Sequence, residues 1–205
     1  DDDTVIPMEL IKAAVDRDVA LSASAPIIWG LDVARYGGDN SALCVRQGNT
    51  VLELKSFQSM DLMQLCGAIK NRYDDCTALE RPQEILIDVI GLGSGVVDGL
   101  AEQNLPVRGI NVAEAPATKK NYLNLRAELW FAIKDWLAQR DCRLPNDDEL
   151  VSELAAPIYK YTSSGKIKLE SKEEMRKRGI KSPDKADALS LTCLLYTSPS
   201  PRDRP

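Results

Sequence analysis

The chain has 205 residues, 44% hydrophobic and 28% charged, with a net charge of −5. This is enough to build a full core in one domain of ordinary size, and it excludes a disordered chain. There is no histidine, and the five cysteines are widely spaced without a C-x-x-C pair, which excludes imidazole-based triads, histidine zinc sites and a disulfide frame, and leaves carboxylates, Lys, Arg, Tyr, Ser or Thr to carry any chemistry.

Residues 1–26 read as a linker segment, with an amphipathic helix over Met8–Asp18 followed by Ser22-Ala23-Ser24-Ala25-Pro26. The start, Asp1-Asp2-Asp3, is the reverse of a basic signal-peptide n-region, and no run approaches the ~18 to 20 apolar residues of a membrane span. Ile27–Ala34 is a buried strand ending near a carboxylate, Asp32. A turn at Gly37-Gly38-Asp39-Asn40 leads to strands Ser41–Gln47 and Val51–Phe57, joined by Gly48-Asn49, so an antiparallel meander is expected. Ser59 or Asp61 caps a helix reaching about Tyr73.

Glu84–Val89 is a second buried strand with a carboxylate, Asp88, near its end. Gly91-Leu92-Gly93-Ser94-Gly95 lacks the lysine of a P-loop and reads as a sharp backbone turn into a helix, Val96–Gln103. Strand Pro106–Val112, a loop Ala113–Lys120, and helices Leu123–Arg140 and Asp147–Ala156 follow. A hairpin pairs Pro157–Tyr161 with Lys166–Glu170, and Ser171 caps a short basic helix to Lys177. A last helix starts at Ser182-Pro183-Asp184 and runs to about Leu195. Residues 194–205, rich in Pro, Ser and Arg, read as a disordered or artefactual tail.

The order β-β-β-α-β-α-β places Asp32 and Asp88 on strands and Asp184 and Asp187 in the first turn of the last helix. In open α/β sheets, sites gather at strand ends. Carboxylates brought together repel and raise one another's pKa unless a cation lies between them. Hard oxygen donors without His or Cys suit Mg²⁺ or Mn²⁺, and two such ions can clamp the attacking and leaving oxygens of a phosphoryl displacement. Asp39 reads either as a turn residue or as an auxiliary ligand. From Pro157 to Ala186 nine basic residues face four acidic ones. Lys160, Lys166, Lys168, Lys172, Lys181 and Lys185 are candidates for tracking a phosphate backbone, against the plainer reading of a solvated face.

Three stretches together carry a resemblance: Gly30-Leu31-Asp32-Val33-Ala34-Arg35-Tyr36-Gly37-Gly38-Asp39-Asn40-Ser41, Ile87-Asp88-Val89-Ile90-Gly91-Leu92-Gly93-Ser94-Gly95, and Lys181-Ser182-Pro183-Asp184-Lys185-Ala186-Asp187-Ala188-Leu189. They resemble the C-terminal nuclease domain of tailed-bacteriophage terminase large subunits, over residues 27–193. The resemblance implies an RNase H-like α/β fold, a mixed central sheet flanked by helices. It implies a DNA endonuclease using two Mg²⁺ or Mn²⁺ ions held by Asp32, Asp88, Asp184 and Asp187. The implied partners are double-stranded DNA bound non-specifically, an upstream packaging ATPase domain, the small terminase subunit and the portal; the implied location is the cytoplasm of the infected bacterium. No Walker A motif occurs in this chain, so it would cut DNA without translocating it. The competing readings are a Holliday-junction resolvase or transposase-like nuclease and an actin-like ATPase module. The latter needs a second Asp-Gly-Gly-type loop, which the sequence lacks.

Overall fold

The computed structural model describes residues 3–35 and 40–197. Its centre is a five-stranded mixed sheet in the order β3-β2-β1-β4-β5, formed by β1 (Ile27–Asp32), β2 (Asn40–Gln47), β3 (Thr50–Gln58), β4 (Glu84–Asp88) and β5 (Val107–Ile110). Strands β1 to β3 form the expected antiparallel meander. Strand β4 joins β1 in parallel and β5 joins β4 in parallel. The turn at residues 36–39, and with it Asp39, lies outside the described residues.

Successive strand residues point to opposite faces, and each face has its own core. Ile27, Trp29, Leu31, Ile85 and Ile87 pack with α2 (Leu62–Asp74) and α3 (Gly93–Ala101). Ile28 and Leu86 pack with α4 (Leu125–Ala138), α5 (Asp148–Ala155) and α7 (Asp184–Thr197). Between α5 and α7 lie the hairpin of β6 (Tyr159–Tyr161) and β7 (Ile167–Leu169) and the short helix α6 (Lys172–Lys177).

The caps form as the sequence suggests. Asp61 and Ser171 each close a capping box, with Gln64 and Glu174 respectively. Gly91 takes φ +74°, and a Cβ on Gly93 would fall 1.7 Å from the Asp88 carbonyl oxygen, so the glycine run does let the chain turn beside Asp88.

Two boundaries differ from expectation. The N-terminal helix, α1 (Met8–Ala14), stops early because Val15 bridges to Leu144 and Asp16 turns with φ +51°. The segment read as a linker is built into the core through Val5, Ile6, Ile11 and Ala14, all at most 1% exposed. Helix α7 continues to Thr197, and Leu194, assigned from the sequence to the tail, is buried. Residues 198–205 lie outside the described residues. Among the described residues, no helix is long and apolar enough to cross a membrane.

Candidate active site

The site is positioned by strand parity and one glycine. Ile28, Gly30 and Asp32 share the β1 face toward α7. A Cβ on Gly30 would fall 2.0 Å from the Ala188 carbonyl oxygen, so α7 lies directly against the bare backbone. That contact brings the first turn of α7, with Asp184 and Asp187, over the end of β1. Strand β4 runs beside β1 with Gly30 opposite Leu86 and Leu31 opposite Ile87; carried one step on, Asp32 stands opposite Asp88.

Asp32, Asp184 and Asp187 are buried, with side chains at most 9% exposed, and their carboxylates converge on one ammonium. Lys172 Nζ lies 2.9 Å from Asp32 Oδ2, 3.2 Å from Asp187 Oδ2 and 3.4 Å from Asp184 Oδ1. Lys172, read from the sequence as one of the outward-facing DNA contacts, is therefore placed inside the acid cluster. It is carried there as the first residue of α6, whose start is fixed by the Ser171–Glu174 box. Backbone bonding to Ser171, with help from Lys160 and Lys168, pulls the Glu174 carboxyl down to about 2.

The four aspartates have different electrostatic settings. Burial, foremost, with the neighbouring Asp187 and Asp184, pushes Asp32 up to about 7 against the pull of Lys172. Burial also raises Asp184 and Asp88, the latter opposed by the Ile90 amide that donates to its Oδ1 at 3.0 Å. Asp187 moves the other way. Burial would raise it, but Arg126, Lys172 and Trp130 outweigh that and hold it below the usual range. Arg126 contacts it from Nε at 3.2 Å and Nη2 at 3.1 Å, and the buried Trp130 Nε1 donates at 2.8 Å. Asp184 Oδ1 also accepts from Ser182 Oγ at 2.6 Å.

The cluster opens into a cleft of about 220 Å³, lined by Arg35, Asp88, Ile90, Arg126, Lys168 and Lys172 among others. Among the described residues, no three acidic, Cys or His side chains stand ready to hold a metal ion; Lys172 contacts three of the acids. The donor set nonetheless fits a hard divalent cation. It consists of carboxylate oxygens alone, and burial leaves three of the four acids, Asp32, Asp88 and Asp184, with raised pKa values although Lys172 is near.

The remaining candidate lysines divide by exposure. Lys185 is largely buried and paired with Asp147 Oδ2 at 2.7 Å. Lys160 and Lys168 both reach Glu174 at 3.3 Å, and Lys181 reaches Glu149 at 3.7 Å. Lys166 is exposed on the hairpin.

Sequence reasoning missed Arg126 as a partner of Asp187, although Arg126 and Trp130, four apart on α4, share a helix face. It also missed Glu128, which clasps the preceding loop by accepting from the Ala117, Thr118 and Lys119 amides.

No family model matches the chain, and no curated protein matches it. Among solved structures, a point-mutant nuclease domain of the large terminase subunit gp2 of bacterial virus Sf6, with manganese and β-thujaplicinol, aligns at TM-score 0.76 and 20% identity, covering 96% of this chain and 99% of that one. The large terminase nuclease of thermophilic phage G20c aligns at TM-score 0.69 and 14% identity over 94% and 98%. Its magnesium-bound form aligns at TM-score 0.66 and 14% identity over 92% and 95%. The chain thus has the RNase H-like fold of phage large-terminase nuclease domains.

Proposed function

We propose that the chain is a divalent-metal-dependent DNA endonuclease of a phage packaging motor. The observation that carries this reading is the meeting of Asp32, Asp184 and Asp187 around one ammonium, with Asp88 on the adjoining strand end. Asp32, Asp88, Asp184 and Asp187 would hold Mg²⁺ or Mn²⁺. Asp187 Oδ1 accepts from Arg126 and Trp130, and its Oδ2 lies 3.4 Å from Arg126 Nη2 and 3.2 Å from Lys172 Nζ. Bound divalent ions would polarise the scissile phosphodiester and lower the pKa of the attacking water, so that no histidine base is needed.

The chain's own residues supply the rest. Lys172 neutralises the acids; with divalent ions held there instead, its ammonium would be released to meet a phosphate at the mouth of the cleft. Arg126 and Trp130 keep Asp187 ionised and oriented. Arg35, Lys168 and the exposed Lys166 would hold the DNA backbone without reading sequence. Asp39 remains a proposed auxiliary ligand. The reading brings with it double-stranded DNA as substrate, an upstream ATPase domain, a small terminase subunit and a portal as partners, and the infected host's cytoplasm as the place of action.

The test is plasmid cleavage in Mn²⁺, Mg²⁺ or EDTA. Cleavage should need the metal and fall in Asp32→Asn by more than the ~10–100-fold typical of residues one step removed from a metal. Full cleavage by Asp32→Asn, or cleavage in EDTA, would overturn it. Removing the charge at Lys172 with Lys172→Met should tighten Mn²⁺ binding while slowing cleavage.

A further inference from the structure

We propose that Glu153 on α5 is a positioning residue: it caps the N-terminus of α7 from a different helix and thereby sets where Asp184 and Asp187 stand. The proposal rests on the reading of these two acids as metal ligands.

The first turn of any α-helix leaves N–H groups without a partner inside the helix. In α2, α4, α5 and α6 the residue just before the helix supplies the acceptor: Asp61, Asn124, Asp147 and Ser171. Helix α7 follows Pro183, which has no side-chain acceptor, and the nearby Ser182 hydroxyl is donated to Asp184. Glu153, 33 residues earlier, takes over the role, its Oε2 accepting from the Ala186 amide at 2.9 Å in a buried contact.

Nothing in the packing alone calls for a carboxyl group there. Glu153 is 6% exposed, its neighbours on α5, Leu150 and Leu154, are core residues, and its Oε1 has no hydrogen-bond partner among the described residues. A buried acid with one unmet oxygen is costly. Burial, with Asp184 and Asp187 among its acidic neighbours, raises its pKa to about 8 against the pull of the Ala186 amide. The group is thus largely a neutral acid near pH 7 and does not add a negative charge to the cluster.

A second anchor comes from the same helix. Asp147, the cap of α5, holds Lys185 Nζ at 2.7 Å. Helix α5 therefore grips Lys185 by its side chain and Ala186 by its backbone, the two residues that lie between Asp184 and Asp187. Partners one step out from a metal ligand commonly change metal affinity about 10- to 100-fold.

The test compares Glu153→Gln with Glu153→Leu in the full chain, with folding followed by circular dichroism and Tm. Two readouts are taken without DNA: Mn²⁺ binding by calorimetry, and hydrogen exchange of the Ala186 amide by NMR. Glu153→Gln keeps an acceptor and should retain both the affinity and the slow exchange. Glu153→Leu should fold, exchange Ala186 at least about tenfold faster, and bind Mn²⁺ about tenfold more weakly. Cleavage should then need correspondingly more Mn²⁺, with the KM for DNA unchanged. Unchanged exchange in Glu153→Leu would overturn the cap, whether or not the chain binds metal. Faster exchange with unchanged Mn²⁺ affinity would overturn the positioning role. Absence of Mn²⁺ binding by the parent chain would instead remove the nuclease reading, and the positioning role with it, while exchange still decides the cap.

Discussion

The two faces of the central sheet are made from the same strands and differ in what they do. Toward α2 and α3, β1 offers Ile27, Trp29 and Leu31, and β4 offers Ile85 and Ile87; every one is buried and apolar. Toward α7, the intervening residues are Ile28, Gly30 and Asp32 on β1 and Leu86 and Asp88 on β4. One face is cohesive throughout. The other is apolar at Ile28 and Leu86, is emptied at Gly30 to admit a helix backbone, and ends in carboxylates. A period of two lets a single strand serve both purposes, so substitutions one residue apart should have separable effects.

The largest expected effect is on the cohesive face. Trp29 is fully buried, and Trp29→Ala should cost about 3–5 kcal/mol in urea unfolding, with Mn²⁺ affinity of the folded fraction unchanged. A comparable loss of metal affinity would mean that the faces are not independent. Gly30→Ala comes next. Its Cβ would meet the Ala188 carbonyl, so α7 must move, at about 1–3 kcal/mol. Here the loss in Mn²⁺ affinity and cleavage should exceed what the lost stability explains.

The pH dependence of stability should locate Glu153 on the second face. Its pKa is about 8 when folded, raised from 4.5. Its contribution is therefore complete below pH 4.5 and lost as pH rises through about 8. Glu153→Gln removes that slope, so its stability relative to the parent chain should increase from pH 5 to pH 8 in urea titrations. Parallel curves would show that the acid is not held neutral. The smallest effect is at the rim. Lys166→Glu with Lys168→Glu should weaken DNA binding uniformly across sequences and reduce the salt slope by roughly 2, with a modest fall in Tm because Lys168 also pairs with Glu174 at 3.3 Å. A salt slope equal to the parent's would remove these lysines from the DNA path.

Much of this arrangement was legible in the sequence because it depends on local rules. Short apolar runs marked the strands, Asp61 and Ser171 marked helix starts, and the glycine run after Asp88 marked a tight turn. The four aspartates stood out as carboxylates at element ends. What local pattern could not reveal was pairing across long separations. Lys172 and Lys185 sit in a basic stretch and look like surface charge, yet Lys172 meets Asp32 across 140 residues and Lys185 meets Asp147 across 38. Glu153 reads as one more polar residue of an amphipathic helix, and only tertiary packing turns it inward to Ala186. The extent of α7 was misjudged because the Pro- and Ser-rich residues beyond it suggested that order ended sooner.

The N-terminal residues are bridged to the chain that enters the hairpin. The Tyr159 amide donates to the Asp3 carbonyl at 2.9 Å, the Val5 amide donates to the Pro157 carbonyl at 3.3 Å, and Thr4 pairs antiparallel with Ile158. The Ile158 amide in turn donates to Glu170 Oε2, and the Glu170 carbonyl accepts from Arg126, the partner of Asp187. The N-terminal segment is thereby joined, through the chain entering the hairpin and Glu170, to Arg126, one of the groups that hold Asp187.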